Sequence, residues 1–417
     1  MRNLLRLKIV PYLQAARRIS RILWVRVAMI LALSILAALS AEALNPLIPQ
    51  GPKDRFTSAA TLPILTILAN SMLAVATFSL GVMVSSHRTM AEQTTPRIHR
   101  LLMEDTSTQT MLATFVGAFA FALSSIILFR AGYYSDSASV IVFGATVLVV
   151  LAIIFSLVRW IHQLSRIGSM DYALERIEDT ARETLIEMKK HPNLGGQRHP
   201  ADKPAPTEAS VVPATVSGYL RRVDMQQLQE LAESGGSVVY LSVLPGDLIL
   251  TAEPVAYVTG SADLKKIADC IVIATNRSYE QDPSYAIQAM RETASKALSP
   301  GINDPGTAID VVTRLERLLW DVLQTEPVQA QPVYDRVFVR PIPDSILIAS
   351  AFRDISRDGA AFVDVLLAVS RALSSMSSRC DASARDEVEA LRTALHEYAE
   401  IGLTTQSERE RFQAGPA

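Results

Sequence analysis

Four long apolar runs without a charged residue lie before residue 160, and they constrain the fold more than any other feature of the sequence. They are Val27–Ala41, Thr61–Val84, Thr110–Phe129 and Ala138–Val158. A helix that crosses a bilayer needs about 20 mostly apolar residues, because hydrocarbon offers the backbone no hydrogen-bond partner outside the helix itself. We therefore predict a domain of four transmembrane helices over residues 27–160.

Basic residues flank these runs unequally. Residues 1–26 contain arginines and one lysine but no acidic residue, and the loop after the second run contains Arg88, Arg97 and Arg100. Basic loops stay on the cytoplasmic side of the membrane, and so long a basic lead favours a retained anchor over a cleaved signal peptide. We predict a basic cytoplasmic N-terminus over residues 1–26, cytoplasmic N- and C-termini, and a multi-pass location in a bacterial inner membrane.

The apolar runs lack acidic and basic residues but are rich in small ones. The lack of carboxylates argues against proton-coupled transport, which uses intramembrane acids. Small residues let helices approach closely, either within one chain or between several copies. A homo-oligomer in the lipid bilayer could enclose a passive pore, whose candidate lining residues are Asn70, Ser71, Thr77, Thr114 and Gly117.

Charge and cysteine content exclude several classes of protein. The chain has 40 basic and 42 acidic residues, for a net charge of -2, so a cationic nucleic-acid-binding surface is not expected. Its two cysteines, Cys270 and Cys380, are far apart in sequence. They indicate neither a disulfide-rich scaffold nor a cysteine-based zinc site.

The rest of the chain has the composition of a folded cytoplasmic part that mixes helices and strands. We therefore predict an α-helical integral membrane protein with a C-terminal cytoplasmic α+β domain. Periodicity and turn residues divide this part into an amphipathic helix over 161–190, a flexible Pro/Gly-rich linker over 191–213, a small α/β or β-rich subdomain over 214–275, a helical subdomain over 276–403 and a disordered tail over 404–417.

Two Asp-Pro pairs mark helix starts in the helical subdomain. Asp282-Pro283 and Asp304-Pro305 each place a carboxylate at a predicted N-cap and a proline at the first helical position, where the missing N–H costs nothing. Ser299-Pro300-Gly301 breaks the chain between the two helices.

The segment Gln281–Asp310 carries a family resemblance. Its sequence, QDPSYAIQAMRETASKALSPGINDPGTAID, resembles the bacterial family of predicted membrane proteins called domain of unknown function 2254, whose hallmark is QDP, a helix and then ALSPxxNDPxTA. Weaker similarity covers Ser217–Ile249 and Thr95–Phe121. The resemblance implies four N-terminal spans and a cytoplasmic domain, and it implies no activity.

The polar residues of this motif have two interpretations. Helix capping alone explains each residue type. Alternatively they form a binding site, either for an anion at two helix N-termini or for a divalent cation such as Mg²⁺ or Ca²⁺ held by Asp282, Asn303 and Asp304. The ligand-binding candidates are Arg277, Asp282, Ser299, Asn303, Asp304 and Thr307.

No catalytic residues can be named. The sequence contains no GxSxG, HExxH or P-loop pattern. Apart from the possible divalent cation, no cofactor is expected. Our leading hypothesis is a homo-oligomeric passive channel or transport protein with a cytoplasmic gating or sensor domain. The alternative is a membrane-anchored ligand-binding or signalling module without a pore.

Overall fold

The computed structural model describes residues 23–43, 58–103, 106–166, 169–199, 206–328 and 331–415. Most of the basic N-terminal segment, residues 1–22, lies outside these ranges. The chain divides into two compact units between Ala173 and Leu174. The first unit has only helices as regular elements among its described residues, and the second unit combines helices with two sheets.

The helices of the first unit follow the apolar runs closely. They are α1 (Leu23–Ala43), α2 (Ser58–Gln93), α3 (Pro96–Met103), α4 (Thr106–Arg130) and α5 (Asp136–Arg166). Three stretches within α2, α4 and α5 are long and apolar enough to cross a membrane, namely Thr61–Glu92, Gln109–Arg130 and Ala138–Leu164. The apolar part of α1, Val27–Ala41, is shorter. The short amphipathic helix α3 was not predicted.

Helix α4 is the centre of the first unit, because α1, α2 and α5 all pack against it. Phe115 and Phe121 of α4 are fully buried in this core. The outer surface is also apolar, since large side chains such as Phe78, Leu148 and Phe155 are each at least 66% exposed. An apolar exterior of this kind is suited to hydrocarbon rather than to water.

The second unit contains eight strands and nine helices among its described residues. The helices are α6 (Met170–Lys190, which begins just before the division), α7 (Met225–Ser234), α8 (Leu264–Asp269), α9 (Pro283–Ala297), α10 (Pro305–Leu323), α11 (Asp344–Asp358), α12 (Val363–Ser377), α13 (Ala382–Gly402) and α14 (Gln406–Ala414). The strands are β1 (Gly196–Arg198), β2 (Ser210–Pro213), β3 (Gly218–Val223), β4 (Val238–Leu241), β5 (Leu248–Ile249), β6 (Pro254–Thr259), β7 (Ile271–Ala274) and β8 (Tyr334–Val339).

The strands form two sheets. The larger sheet has the order β1-β8-β4-β6-β2, with β8 parallel to both β1 and β4, and β6 antiparallel to both β4 and β2. The smaller sheet has the antiparallel order β5-β3-β7. Their shared core includes Leu220, Leu228, Val239 and Ile267, all fully buried. Helices α9 to α13 pack against one another as a helical layer.

The prediction of a flexible linker over residues 191–213 is wrong for the described residues of that segment. β1 pairs with β8, β2 pairs with β6, and a short 3-10 turn, Pro192–Gly195, precedes β1. The partner strand β8 lies far along the chain, inside the segment predicted to be a helical subdomain. Local composition does not report such distant pairing, which is why a Pro/Gly-rich stretch was mistaken for a linker.

The prediction of a disordered tail over residues 404–417 is also wrong for most of that segment. Thr405 and Glu408 form a capping box at the start of α14, in which each side chain bonds the backbone N–H of the other residue. Phe412 is only 5% exposed, and its ring lies 5.2 Å from that of His396 in α13. The complete cap and the buried aromatic ring therefore help to hold this short helix, together with the ion pair between Arg411 and Asp364 of α12.

Candidate functional site

A buried ion pair organises the N-terminus of α9. Asp282 caps the helix by accepting a hydrogen bond from the backbone N–H of Tyr285 at 3.1 Å, and its side chain is 1% exposed. Arg277 donates from Nε and Nη2 to the two carboxylate oxygens, at 2.7 and 2.8 Å. Ser284 donates its hydroxyl at 2.9 Å. The carboxylate is therefore fully engaged within the chain.

Two further residues, Gln281 and Gly246, fix the position of this ion pair at the start of α9. Gln281 donates to and accepts from the backbone of Val223 at the end of β3, at 3.1 and 2.8 Å. Gly246, with φ +98, brings the turn after β4 so close that a Cβ there would collide with the Asp282 carboxylate. Only glycine meets both the backbone and the contact requirement. Gln281 thus ties the start of α9 to β3, and the Arg277–Asp282 pair ties it to this turn.

The turn between α9 and α10 is a second cluster. Asp304 caps α10 by accepting from the backbone N–H of Thr307 at 3.0 Å and from its hydroxyl at 2.6 Å. The two bonds from Thr307 lower the pKa of Asp304. Ser299 donates its hydroxyl to the carbonyl of Lys296, and Asn303 takes a left-handed φ of 53. Capping and turn formation use the hydrogen bonds of these residues.

The structure does not bring the six predicted ligand-binding residues together. Arg277 and Asp282 lie at the start of α9, whereas Ser299, Asn303, Asp304 and Thr307 lie beyond its end, where Asp304 N–H bonds the carbonyl of Ala297. A helix of 15 residues is about 22 Å long, so Asp282 and Asp304 cannot ligate one cation. Among the described residues, no group of three or more His, Cys, Asp or Glu is arranged to hold a metal ion.

Replacing Asp304 by alanine should lower the stability of the second unit by about 1 kcal/mol at neutral pH, because the N-terminus of α10 loses its cap. The folded pKa of Asp304 is lowered, so its charged form stabilises the fold above an ordinary carboxyl pKa of about 4. That stabilisation is lost as the pH falls through the lowered folded value. Thermal unfolding of the detergent-solubilised chain from pH 7 to pH 3 tests this.

Asp386→Ala is the control for this prediction, because Asp386 is an exposed aspartate inside α13 and away from the cap position. Its replacement should cost nothing at either pH. A melting temperature of Asp304→Ala equal to that of wild type at pH 7 would contradict the cap assignment.

The five predicted pore-lining residues do not lie on one surface of the chain. Asn70, Ser71 and Thr77 are exposed on α2. Thr114 is half-buried on α4, and its hydroxyl bonds the carbonyl of Thr110 at 2.9 Å. Gly117 is buried and packs against Ile30 and Ser34 of α1. Gly117 therefore serves helix packing, and only the α2 residues face away from the bundle.

A cavity of about 550 Å³ lies inside the second unit, and sequence reasoning did not find it. This volume is in the range of sites that hold small molecules. Its walls come from five segments of the chain: the end of α6 with the 3-10 turn, the end of β3 with the start of α7, the turn after β4, the start of α9, and the two ends of β8. The lining includes Met188, Asn193, Leu194, Arg222, Gln226, Gln281, Tyr334, Arg340 and Ile342.

The 3-10 turn that forms one wall of the cavity is strained. Asn193 and Leu194 have φ values of 56 and 57, and Gly195 follows with φ 80. A left-handed backbone costs an ordinary L-residue about 1–2 kcal/mol, and leucine adopts it rarely. Such strain persists where surrounding contacts impose it, and it concentrates at ligand sites. The only sequence signal was the Asn-Leu-Gly-Gly string, which we interpreted as part of a linker.

Polar groups line the cavity between apolar ones. Lys189 is committed to Asp344 at 2.7 Å, and Asp224 caps α7 through the N–H of Gln227. Arg222 is exposed at the cavity, and Arg340 lies 3.7 Å from Asp247 with its side chain 46% exposed. A mainly apolar lining with a few such polar groups is the usual composition of a small-molecule site.

Helix α6, which supplies a wall of the cavity, is held by a buried carboxylate. The Glu178 side chain is 7% exposed and accepts from Arg317 of α10 at 2.7 Å, from Arg314 of α10 at 3.2 Å and from Arg182 of α6 at 3.2 Å. Arg182 also pairs with Asp321, and Arg314 pairs with Asp310 at 2.8 Å. Three arginines and three carboxylates therefore balance in one network between α6 and α10.

Both cysteines are buried, and we expect them to be unreactive in the folded chain. Burial, with a smaller effect of Asp224 and Asp269, raises the pKa of Cys270 to about 12. Burial also raises the pKa of Cys380, which is 6% exposed. The reactive thiolate of Cys270 forms only as the pH approaches 12, so a maleimide at pH 7 should modify neither residue until the chain unfolds.

Ser383→Cys provides the control, because Ser383 is exposed on α13. Its thiol should react within minutes under conditions in which the native cysteines remain free. Rapid modification of Cys270 in the folded chain would contradict the burial.

Comparison with known proteins identifies relatives but no activity. The family model described as "Predicted membrane protein (DUF2254)" matches residues 20–375. Uncharacterized proteins of Mycobacterium bovis and Mycobacterium tuberculosis are each 24% identical to the chain over 360 residues, which cover 81% of this chain and 68% of each relative. An uncharacterized protein of another Mycobacterium tuberculosis strain is 23% identical over the same length. No solved structure matches the chain.

Proposed function

Because the chain belongs to the DUF2254 family of predicted membrane proteins, we propose that it is a multi-pass membrane protein whose second unit binds a small ligand in the cavity beside α6. The observation that carries this proposal is the cavity of about 550 Å³ bordered by the strained turn at Asn193 and Leu194. Backbone strain in this turn indicates that its shape is needed for binding, because a turn that merely connected two elements could adopt an unstrained conformation.

Helix α6 gives such a site a route to the membrane helices. Its C-terminal turns, from Thr184 to Lys189, line the cavity, and its N-terminus at Met170 follows the end of α5 at Arg166 after only a few residues. A ligand that stabilises one position of α6 would therefore change the position of the short segment that connects α6 to α5. We propose that the protein is a sensor in this sense.

We further propose four spans with cytoplasmic N- and C-termini in a bacterial inner membrane. Helix α1 has 21 residues and is about 31 Å long, of which the apolar part, Val27–Ala41, covers about 22 Å, so it would be the shortest of the four spans in apolar length. The test uses Cys270→Ala and Cys380→Ala as background. In spheroplasts, a membrane-impermeant maleimide should label Ala131→Cys, in the loop between α4 and α5, but label Ser383→Cys only after lysis. The reverse pattern would overturn the orientation.

The ligand proposal is tested by thermal unfolding of the full chain in nanodiscs against a panel of water-soluble metabolites. A ligand at 100 times its Kd stabilises the folded state by about 2.7 kcal/mol, which is readily measured. Arg222→Ala should abolish the shift because Arg222 lines the cavity, whereas Arg221→Ala, its neighbour outside the lining, should retain it. An equal shift in both variants would place the ligand elsewhere.

A second candidate function is passive conduction between several copies of the chain. It is favoured by Asn70, Ser71 and Thr77, which are polar and face away from the bundle on α2. In liposomes, the purified wild-type protein should then conduct a flux of ions or solutes, and the Asn70→Leu variant should not. Liposomes that remain tight under applied voltage, tension and the ligands found above would defeat this candidate.

A further inference from the structure

We propose that the outward face of α2 is a contact surface for a second, parallel copy of this chain. The α2 seam, as we call it, consists of Asn70, Ala74, Thr77 and Gly81, all of them exposed. The inference rests on the proposal that α2 spans the bilayer, and not on the cavity or on conduction.

The seam is one stripe of the helix, opposite the stripe that packs inside the bundle. Its residues are spaced four, three and four apart, which is the spacing of a helix–helix contact line. With about 100° per residue, the buried residues Met72, Ala76 and Ser79 lie on the other side of α2. One face of α2 thus serves the bundle, whereas the seam is exposed among the residues that the structure describes and is available to a partner.

The shape of the seam suits a second helix better than lipid tails. A Cβ added at Gly81 would meet no atom within 4 Å, so the backbone there is open. Large side chains flank the small ones, since Ile67, Leu73 and Phe78 are 67%, 53% and 66% exposed. Small residues between larger flanking ones form a shallow groove, in which two backbones can approach closely.

Asn70 identifies the occupant. The Thr77 hydroxyl is satisfied by the carbonyl of Leu73 in its own helix, at 2.9 Å. The Asn70 side chain, by contrast, makes no hydrogen bond with any residue that the structure describes, although it lies within the candidate span Thr61–Glu92. Hydrocarbon cannot supply the missing partners.

A primary amide both donates and accepts, so Asn70 is complementary to Asn70 of a second copy. Copies inserted with the same orientation place this residue at the same depth, which makes a parallel contact self-complementary.

Disulfide formation between copies in native membranes tests the contact. In the background of Cys270→Ala and Cys380→Ala, Ala74→Cys should cross-link on mild oxidation. Ala76→Cys, two residues along and buried at 8% exposure, should not. Leu148→Cys on α5, with Leu148 69% exposed, gives the rate of random collision. Cross-linking of Ala74→Cys no faster than that of Leu148→Cys would overturn the proposal, because lipid would then cover the seam.

A second measurement does not depend on introduced thiols. Energy transfer between labelled copies in vesicles should fall for Asn70→Leu and for Gly81→Leu, with an association constant about tenfold lower than that of wild type. Gly144→Leu is the matched control, because Gly144 of α5 also has no atom within 4 Å of an added Cβ. An unchanged association of Gly81→Leu, or an equal loss in Gly144→Leu, would contradict the contact.

All variants are first checked for resistance to alkaline carbonate extraction from membranes. Extraction of the wild-type protein by carbonate would show that it is not inserted in the membrane, and the seam, which depends on that insertion, would be overturned with it. Retention in the membrane without association would defeat the seam alone. Subunit counting by photobleaching should then give pairs, because a self-complementary contact closes with two copies. A larger ring in which Asn70 and Thr77 line a polar path would support the conduction candidate instead and would overturn the seam.

Discussion

Arg277→Met should destabilise the second unit by about 3–5 kcal/mol, because it leaves the carboxylate of Asp282 buried without its cation. Asp282 is 1% exposed and loses two charge-assisted hydrogen bonds of 2.7 and 2.8 Å. The turn at Gly246, which touches both members of the pair, should loosen with them. Denaturant unfolding of the full chain gives the loss in free energy, and hydrogen exchange of α9 amides locates it.

Two further variants show whether burial is the cause. Arg392→Met breaks an exposed pair in α13, in which Arg392 is 41% and Glu389 60% exposed, and should cost less than about 1 kcal/mol. The double variant Arg277→Met with Asp282→Asn should be more stable than Arg277→Met alone, because asparagine keeps the cap and removes the buried charge. If Arg277→Met lost no more free energy of unfolding than Arg392→Met, the Arg277–Asp282 pair would not stabilise the second unit.

The sequence predicted those features that depend on neighbours a few residues away. Asp282 and Asp304 were expected to cap helices, and each caps one through a backbone N–H three residues on. A cap is decided within one helical turn, so the Asp-Pro pairs were sufficient to locate it. Three of the four predicted spans meet the length and hydropathy expected of a membrane helix for a similar reason, because apolar length is a local property.

Features that depend on distant residues were not predictable from the sequence. The pairing of β1 with β8 joins Gly196 to Tyr334, and no local pattern at Gly196 indicates it. The cavity has walls from five separate segments of the chain. The proposed grouping of Asp282 with Asp304 failed because the 15-residue helix α9 lies between them and holds the two carboxylates far apart. A site whose residues come from several elements can be located only once the fold is known.

Glu178 is the most instructive of these cases. In the sequence it interrupts the apolar stripe of α6. In the structure it is buried among three arginines, and the stripe residues Leu174, Ile177 and Leu185 are buried as well. The interruption therefore marks where α6 is fixed to α10.

Glu178→Gln should cost about 2–3 kcal/mol and release α6 from α10. The substitution keeps the shape of the side chain but leaves three arginines beside two remaining carboxylates, Asp310 and Asp321. The cost is below that of a fully buried pair because Arg317 is 58% exposed and can turn toward water. Hydrogen exchange should rise along α6, from Leu174 to Lys189, more than along α9.

The same release should weaken ligand binding, because the freed helix carries the cavity wall from Thr184 to Lys189. Glu183→Gln is the matched control, since Glu183 lies on the same helix, is exposed and does not line the cavity. It should change neither exchange nor binding. If Glu178→Gln left both unchanged as well, α6 would be held by its apolar stripe alone. The proposed route from the cavity through α6 to α5 would then lose its anchor on α10.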